Sequence, residues 1–372
     1  MVSPSVDFST VPVLDYSKVY NSETRDEFVQ ELRNAVVNVG FLYLANHSVD
    51  PSVVARMTEH YIPRLFALPQ EEKDKIKMAN SPHFFGYTAF AREFTKEKAD
   101  LREQFDFGVP FENKYQPGEP DYKKLWGPSQ WPKEELIPGF KETWNTYLEQ
   151  VEQLGYDFLA LLAECLGLPS DALHEFMDKD KNIQNAKGNI MHQAKIVKYP
   201  PVGTVESNQG IGPHFDAGFL TFLLQASPNP GLQVQNLTGD WIDVLPIPGT
   251  FVINIGRALE HVTQGLARAT CHRVVAPLRD TSSRYSIPFF QAMRQELRLN
   301  DIQFEFAPEI LALKEKRGYV ADREGVNYAE YSTEPAGTVA LIGRVKSHPD
   351  VAQHHYPELT KQLFPNGLPA WA

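Results

Sequence analysis

The sequence predicts an α+β protein, with a helical N-terminal half wrapped onto a β-sandwich or jelly-roll core and helical character returning near the C-terminal end. Three observations carry this expectation. Apolar residues recur at helical spacing before residue 193. From Gln193 onward, short strand-like runs alternate at even spacing with Gly, Pro and Asn turns. Helical texture resumes after residue 307.

Taken in order, Val11 to Asp15 reads as a short strand. Glu23 to Val39 reads as a helix, with Phe28, Leu32, Ala35 and Val36 on one face and Gly40 marking its end. Phe41 to Leu44 is a compact strand. A second helix starts at Asp50-Pro51, with Asp50 as cap and Pro51 in the first turn, and runs towards Ala67. Pro69 to Lys73 opens another short helix. Residues 79–135 carry Pro, Gly, Tyr and Phe without a sustained period and read as long loops with short strands, Arg102 to Phe107 among them. Gly139 to Leu166 is a long helix, and Pro169-Ser170-Asp171 begins one that ends near Met177.

Seven strands follow: Ala194–Tyr199, Phe219–Gln225, Leu232–Gln235, Trp241–Val244, Thr250–Ile255, Cys271–Pro277 and Arg284–Gln291. Ala307 to Lys316 and Glu358 to Leu363 read as helices. No internal repeat, low-complexity tract or flexible linker interrupts the chain. Residues 1–135 are expected to pack as an α/β region on a core formed by residues 136–372, the two making one compact unit.

At 372 residues with 42% hydrophobic residues, a sizeable core is available. A net charge of −11 disfavours nucleic acid or an anionic membrane as partner. Cys165 and Cys271 cannot build a disulfide framework and fit a reducing compartment. The first residues lack the basic and apolar regions of a secretory signal, and no apolar run approaches the roughly 18 residues a bilayer span needs. A cytoplasmic protein acting on a small molecule is expected, with Asn236-Leu237-Thr238 a chance match to a glycosylation acceptor.

The chemistry concentrates in His214-Phe215-Asp216, His272 and Arg284-Tyr285-Ser286. Residues i and i+2 of a strand share a face, so His214 and Asp216 can grip one metal ion while His272 arrives from a neighbouring strand. Two imidazoles and one carboxylate leave the other positions of an ion open, the arrangement of non-haem iron(II) oxygenases. Each part alone is ambiguous. An isolated His-x-Asp often only makes turn hydrogen bonds. Among the 11 histidines, His261 is the nearest rival as third ligand, although the turn-like residues after it place it at the rim. His192 reads as ordinary, and His348, His354 and His355 fall in a polar segment and read as solvated. Arg284 and Ser286 also share a strand face. A guanidinium there matches a carboxylate bidentately, belonging either to a small diacid or to an internal salt bridge.

Together these elements resemble the iron(II)/2-oxoglutarate-dependent dioxygenases, in the branch shared with isopenicillin N synthase. The resemblance spans nearly the whole chain: Val39 to His47 and Phe66 to Pro69 in the N-terminal region, Gly86-Tyr87 and Arg102 to Phe105 in the centre, and Tyr199-Pro200-Pro201, His214-x-Asp216, Gly231 to Val234, Trp241, Pro248 to Gly256, His272-Arg273-Val274 and Arg284-x-Ser286 in the core. It implies a double-stranded β-helix (jelly-roll) core flanked by N- and C-terminal helices. It implies Fe(II) held by His214, Asp216 and His272, 2-oxoglutarate held by Arg284, Ser286 and Tyr199, and O2 as oxidant. The implied reaction hydroxylates, desaturates or cyclises a small organic molecule and releases succinate and CO2, as in secondary metabolism. One departure stands out: many members carry Asn two residues before the tyrosine, where this chain has Val197. Four other readings remain open: an oxidase without 2-oxoglutarate, ethylene-forming fragmentation of 2-oxoglutarate, a non-catalytic binding protein on the same scaffold and, more remotely, a zinc hydrolase. Phe85, Tyr87, Phe105, Phe289 and Phe290 are the aromatic candidates for the substrate pocket, most of them expected to fill the core instead.

Overall fold

The structure, a computed structural model, describes residues 7–95, 98–202, 208–318 and 333–368. Its strands, in chain order, are β1 (Val13–Asp15), β2 (Phe41–Ala45), β3 (Gly86–Thr88), β4 (Phe94–Thr95), β5 (Lys98–Ala99), β6 (Glu103–Gly108), β7 (Gln193–Tyr199), β8 (Gln209–His214), β9 (Leu220–Gln225), β10 (Leu232–Gln235), β11 (Trp241–Asp243), β12 (Thr250–Ile255), β13 (His272–Val275) and β14 (Arg284–Gln291). Eight form one sheet in the order β1-β2-β12-β9-β14-β7-β6-β3, and four form a second in the order β11-β10-β13-β8. Only β1 and β2 pair in parallel; the other pairings within the two sheets are antiparallel. The N-terminal strands β1, β2, β3 and β6 therefore belong to the same sheet as the core strands.

The alternation of side chains along each strand decides what each face of the large sheet does. In β12, Phe251, Ile253 and Ile255 enter the main core, while Val252 turns the other way and joins a smaller apolar cluster between the sheets. In β9, Leu220, Phe222 and Leu224 take the core side and Thr221 the other. In β14, Ile287 and Phe289 face the core, while Arg284, Ser286, Pro288 and Phe290 face the small sheet. The polar residues that matter thus occupy alternate places on strands whose opposite face is anchored in oil.

The helix Phe140–Cys165 covers the core face and packs on β14 and on the helix Arg25–Asn34. Trp144, Tyr147, Leu148, Val151, Leu154, Phe158, Leu159 and Leu162 are fully buried along it. Each such side chain contributes roughly 1.5–3 kcal/mol on leaving water. The helix expected from Glu23 runs as Arg25–Asn34 and continues in a wider turn through Val39. It ends at Gly40, whose φ of 72° and whose missing side chain, which would come within 2.1 Å of the Arg268 carbonyl, are both needed there. Asp50 caps the next helix through the Ser52 amide, as its sequence implies.

Three expectations are corrected. Residues 209–214, absent from the seven expected strands, form strand β8, which pairs with β13 and is further tied by the Leu101 amide and the Asp100 carboxylate. His261 lies on the short helix Arg257–Val262, half-buried, rather than at a strand end. The segment around His348 is not a solvated tail. Helices Ala336–Ser347, Pro349–His355 and Pro357–Leu363 pack onto Phe84, Tyr122 and Leu125, and His348 is buried, where burial pushes its pKa down to about 3. Of the three histidines, His354 is exposed and His355 half-buried.

Candidate active site

His214 ends β8 and His272 begins β13, and the two stand directly opposite each other in the antiparallel ladder. Their rings lie 4.2 Å apart at 52°. Asp216 falls two residues past the strand, in the connection to β9, so the shared-face argument does not hold for it. Its side chain is aimed instead by neighbours: Thr221 Oγ1 and Asn254 Nδ2, the latter at 2.8 Å, both donate to Oδ2. Oδ1 stays open and lies 3.8 Å from His214 Nε2 and 3.7 Å from His272 Nε2.

Each imidazole is fixed in the same way. His214 Nδ1–H donates to the Gly212 carbonyl at 2.8 Å and His272 Nδ1–H to the Thr270 carbonyl at 3.1 Å. A carbonyl only accepts, so both protons sit on Nδ1 and both Nε2 lone pairs point at Asp216. Burial and the neighbouring His272 push His214 down to about 4, which leaves it neutral at pH 7. Burial opposes the charge on Asp216, yet its carboxyl is held below the usual range, by the imidazoles when they are protonated and by the Thr221 and Asn254 donors throughout. Three deprotonated donor atoms within 4.8 Å of one another suit a divalent cation with open coordination.

Behind this triad a cavity of about 280 Å³ runs between the sheets to Arg284. Arg284 pairs across the ladder with Tyr199, and Ser286 with Val197. The Arg284 guanidinium is 1% exposed, lies 5.1 Å from the Tyr199 ring and donates from Nη2 to Gln225 at 3.3 Å. Among the described residues its Nε and Nη1 have no partner, and no carboxylate forms an ion pair with it. Burial lowers its pKa from the ordinary arginine value. An unneutralised buried guanidinium is costly to keep, and its fork lacks two acceptors. Gly231, with φ 146°, leaves room for it: a Cβ there would sit 3.3 Å from Arg284 Cδ. Phe41, Ile211, Leu223, Leu232 and Val274 line the stretch between triad and guanidinium. A dianion with a carboxylate at each end and a short apolar spacer fits that sequence of surfaces. Val197 is buried in the cluster between the sheets and gives this cavity no polar group.

Every residue the sequence nominated is brought together here: His214, Asp216, His272, Arg284, Ser286 and Tyr199 all line one cavity. Of the aromatic candidates, Phe85, Tyr87, Phe105 and Phe289 fill the core and Phe290 lines the cavity. Sequence reasoning misses Thr221 and Asn254. Their signal is legible, since each is a lone polar residue inside an apolar strand run. It also misses an ionic wall on the cavity's edge. Arg102 pairs with Glu93 at 2.7 Å and approaches Asp100 at 3.5 Å, and Lys195 approaches Asp106 at 3.2 Å and Glu93 at 3.5 Å.

A jelly-roll sandwich with two histidines and an aspartate converging between its sheets defines a non-haem metal oxygenase. Residues 189–292 match the 2OG-Fe(II) oxygenase superfamily, and residues 11–134 match the non-haem dioxygenase in morphine synthesis N-terminal family. A 2-oxoglutarate-dependent dioxygenase, frbJ, of Dothideomycetidae sp. (strain 11243) is 36% identical over 95% of this chain and 94% of its own length. A homoarginine-6-hydroxylase of Oryza sativa subsp. japonica is 30% identical over 87% of this chain and 96% of its own. Among solved structures, a full-length Neurospora crassa protein in complex with alpha-KG and 5-formyluracil superposes with a TM-score of 0.67 at 25% identity, covering 92% of this chain and 100% of that one. The chain belongs to the 2OG-Fe(II) oxygenase superfamily and is a 2-oxoglutarate-dependent dioxygenase that uses iron and 2-oxoglutarate.

The aim of Asp216 gives a first prediction. Thr221→Val and Asn254→Leu should each weaken iron(II) binding by about 10- to 100-fold, the usual effect of losing a group that steadies a metal ligand. Anaerobic iron titration checks this, and unchanged affinity in both variants would remove these residues from the site.

Proposed function

We propose that His214, Asp216 and His272 hold iron(II), and that Arg284, Ser286 and Tyr199 hold the far carboxylate of 2-oxoglutarate. The observation that carries this reading is the buried guanidinium of Arg284, which among the described residues has no carboxylate partner, at one end of a cavity whose other end is the triad. When bound, iron(II) and 2-oxoglutarate supply dioxygen activation coupled to decarboxylation, yielding succinate and CO2. The chain's own residues do the positioning. The Gly212 and Thr270 carbonyls fix both imidazole tautomers, and Thr221 and Asn254 leave Asp216 a single free oxygen. Phe41 stands edge-on to His272 at 5.2 Å and, with Ile211 and Val274, keeps water from the inner end.

The oxidised compound is a small organic molecule that undergoes hydroxylation, desaturation or ring closure. Its size follows from a second cavity of about 450 Å³ that also reaches His214 and Asp216, a volume suited to one small ligand. A relative named for homoarginine 6-hydroxylation and a Neurospora crassa structure holding thymine support that size class. The net charge of −11 supports the absence of a nucleic-acid partner. A content of only two cysteines supports a cytoplasmic location, and among the described residues no helix is long and apolar enough to cross a membrane. We place the boundary at residue 135 inside one functional unit, supported by β6 and β7 lying side by side in the large sheet.

Adding 2-oxoglutarate to the iron(II)-loaded protein without oxygen should produce a metal-to-ligand charge-transfer band, and admitting oxygen should yield succinate. A chain saturated with both and showing no band would overturn this assignment.

A further inference from the structure

The second cavity has two unlike walls. One is the helix Ala336–Ser347, whose Ala336, Ala340, Gly343 and Ser347 stand on one face at helical spacing and turn towards the open volume. Among the described residues nothing lies within 4 Å of where a Cβ on Gly343 would be. Trp126, Met293, Val339 and Phe290 add apolar surface. The other wall carries Glu93 and Lys195; among the described residues these two, Asp216 and Arg344, which belongs to the helix Ala336–Ser347 itself, are the charged side chains that line this cavity.

Glu93, Lys195 and Arg344 are not equally committed. Glu93 is held by Arg102 at 2.7 Å and faces Lys195 at 3.5 Å and His348 at 3.8 Å. Lys195 is shared between Glu93 and Asp106, the latter at 3.2 Å. Arg344 donates to the neutral Gln193 side chain, and its nearest carboxylate, Asp106, lies 3.7 Å away and is engaged more closely by Lys195. Of Glu93, Lys195 and Arg344, the last is therefore the least tightly paired, and it presents a planar fork suited to a carboxylate.

We propose that Arg344 anchors a carboxylate of the prime substrate, which is therefore an amphipathic organic acid. Its apolar body lies along the small-residue face of the helix Ala336–Ser347 and carries the oxidised carbon towards His214 and Asp216. This assignment rests on the triad being the site of oxidation, because those two residues are what join the second cavity to the chemistry. It makes Arg344 a substrate-specificity residue, separate from the arginine that receives 2-oxoglutarate.

The test is a matched panel on the protein loaded anaerobically with iron(II) and 2-oxoglutarate, so that the inner cavity is already filled. The probes are 4-phenylbutyrate, decanoate and N-acetylphenylalaninate, each with its methyl ester, and 4-phenylbutylamine. Binding is read by calorimetry. At least one acid should bind better than its ester and the amine. In Arg344→Gln that preference should fall by about 10- to 100-fold, the range of a lost charge-assisted bond. Arg344→Lys, which keeps the charge without the fork, should recover part of it. Gly343→Leu adds bulk where the structure is open and should weaken acid and ester alike. If no acid outbinds its ester, or the amine binds best, or Arg344→Gln keeps the full preference, the anchor is wrong. The charge-transfer band separates the two failures: a band without acid preference overturns only this inference, whereas a missing band overturns the iron and 2-oxoglutarate assignment itself.

Discussion

Replacing His214 or His272 with alanine abolishes tight iron(II) binding and 2-oxoglutarate-dependent oxygen consumption while leaving the fold intact. Either change leaves one imidazole and one carboxylate, and the cation loses a nitrogen donor whose ring the structure already orients through its Nδ1. The loss in affinity should exceed the about 10- to 100-fold that follows from disturbing a residue that only steadies a ligand. Asp216→Ala should have an equal or larger effect, because it removes the one negative charge among the three donors. His214 and His272 sit at strand ends and Asp216 lies beyond one. Metal content after anaerobic loading and desalting, oxygen uptake with 2-oxoglutarate and the melting temperature measure this together. Undiminished turnover in the His214 or His272 variant would refute the ligand assignment.

Arg284→Met separates binding from stability, and in opposite directions. Among the described residues no carboxylate pairs with the buried Arg284 guanidinium, so the free protein bears its desolvation cost. A methionine of similar length removes that cost, and the melting temperature of the free protein should hold or rise. Affinity for 2-oxoglutarate should fall by about 2–5 kcal/mol, or roughly 30- to 5,000-fold, as expected for one partner of a buried charge-assisted pair. The upward shift in melting temperature that 2-oxoglutarate gives the native chain should disappear at the same time, since ligand stabilisation follows occupancy. A variant that melts earlier and binds 2-oxoglutarate normally would show that Arg284 serves packing instead.

Both predictions concern residues that stand out in the sequence, for a shared reason. His214, Asp216, His272, Arg284 and Ser286 are polar groups at or within strand-like runs, and each requires a partner that its own segment cannot supply. Strand alternation then places Arg284 and Ser286 on one face, as observed. It does not place Asp216, which lies outside β8 and is aimed by Thr221 and Asn254 from two other strands. The glycines of β8 hide a strand that forms by pairing with β13 and is further tied to Leu101 and Asp100, more than 100 positions earlier. His348 shows the same limit. Its segment is polar by composition, yet Phe84 and Glu93, far away in the chain, enclose it.

The sequence by itself determined the α+β plan, the long helix Phe140–Cys165, most strands of the core, the three candidate metal ligands and the arginine facing them, because these depend on periodicity and on polar residues embedded in apolar runs. The tertiary structure alone decided which oxygen of Asp216 stays open, that Arg284 lacks a counter-charge among the described residues, that Glu93, Arg102 and Lys195 form one wall, and that Arg344 faces a cavity shared with the triad. Those features are differences between several neighbours competing for the same group. Competition of that kind exists only after residues distant in the chain have been brought within a few ångströms of one another.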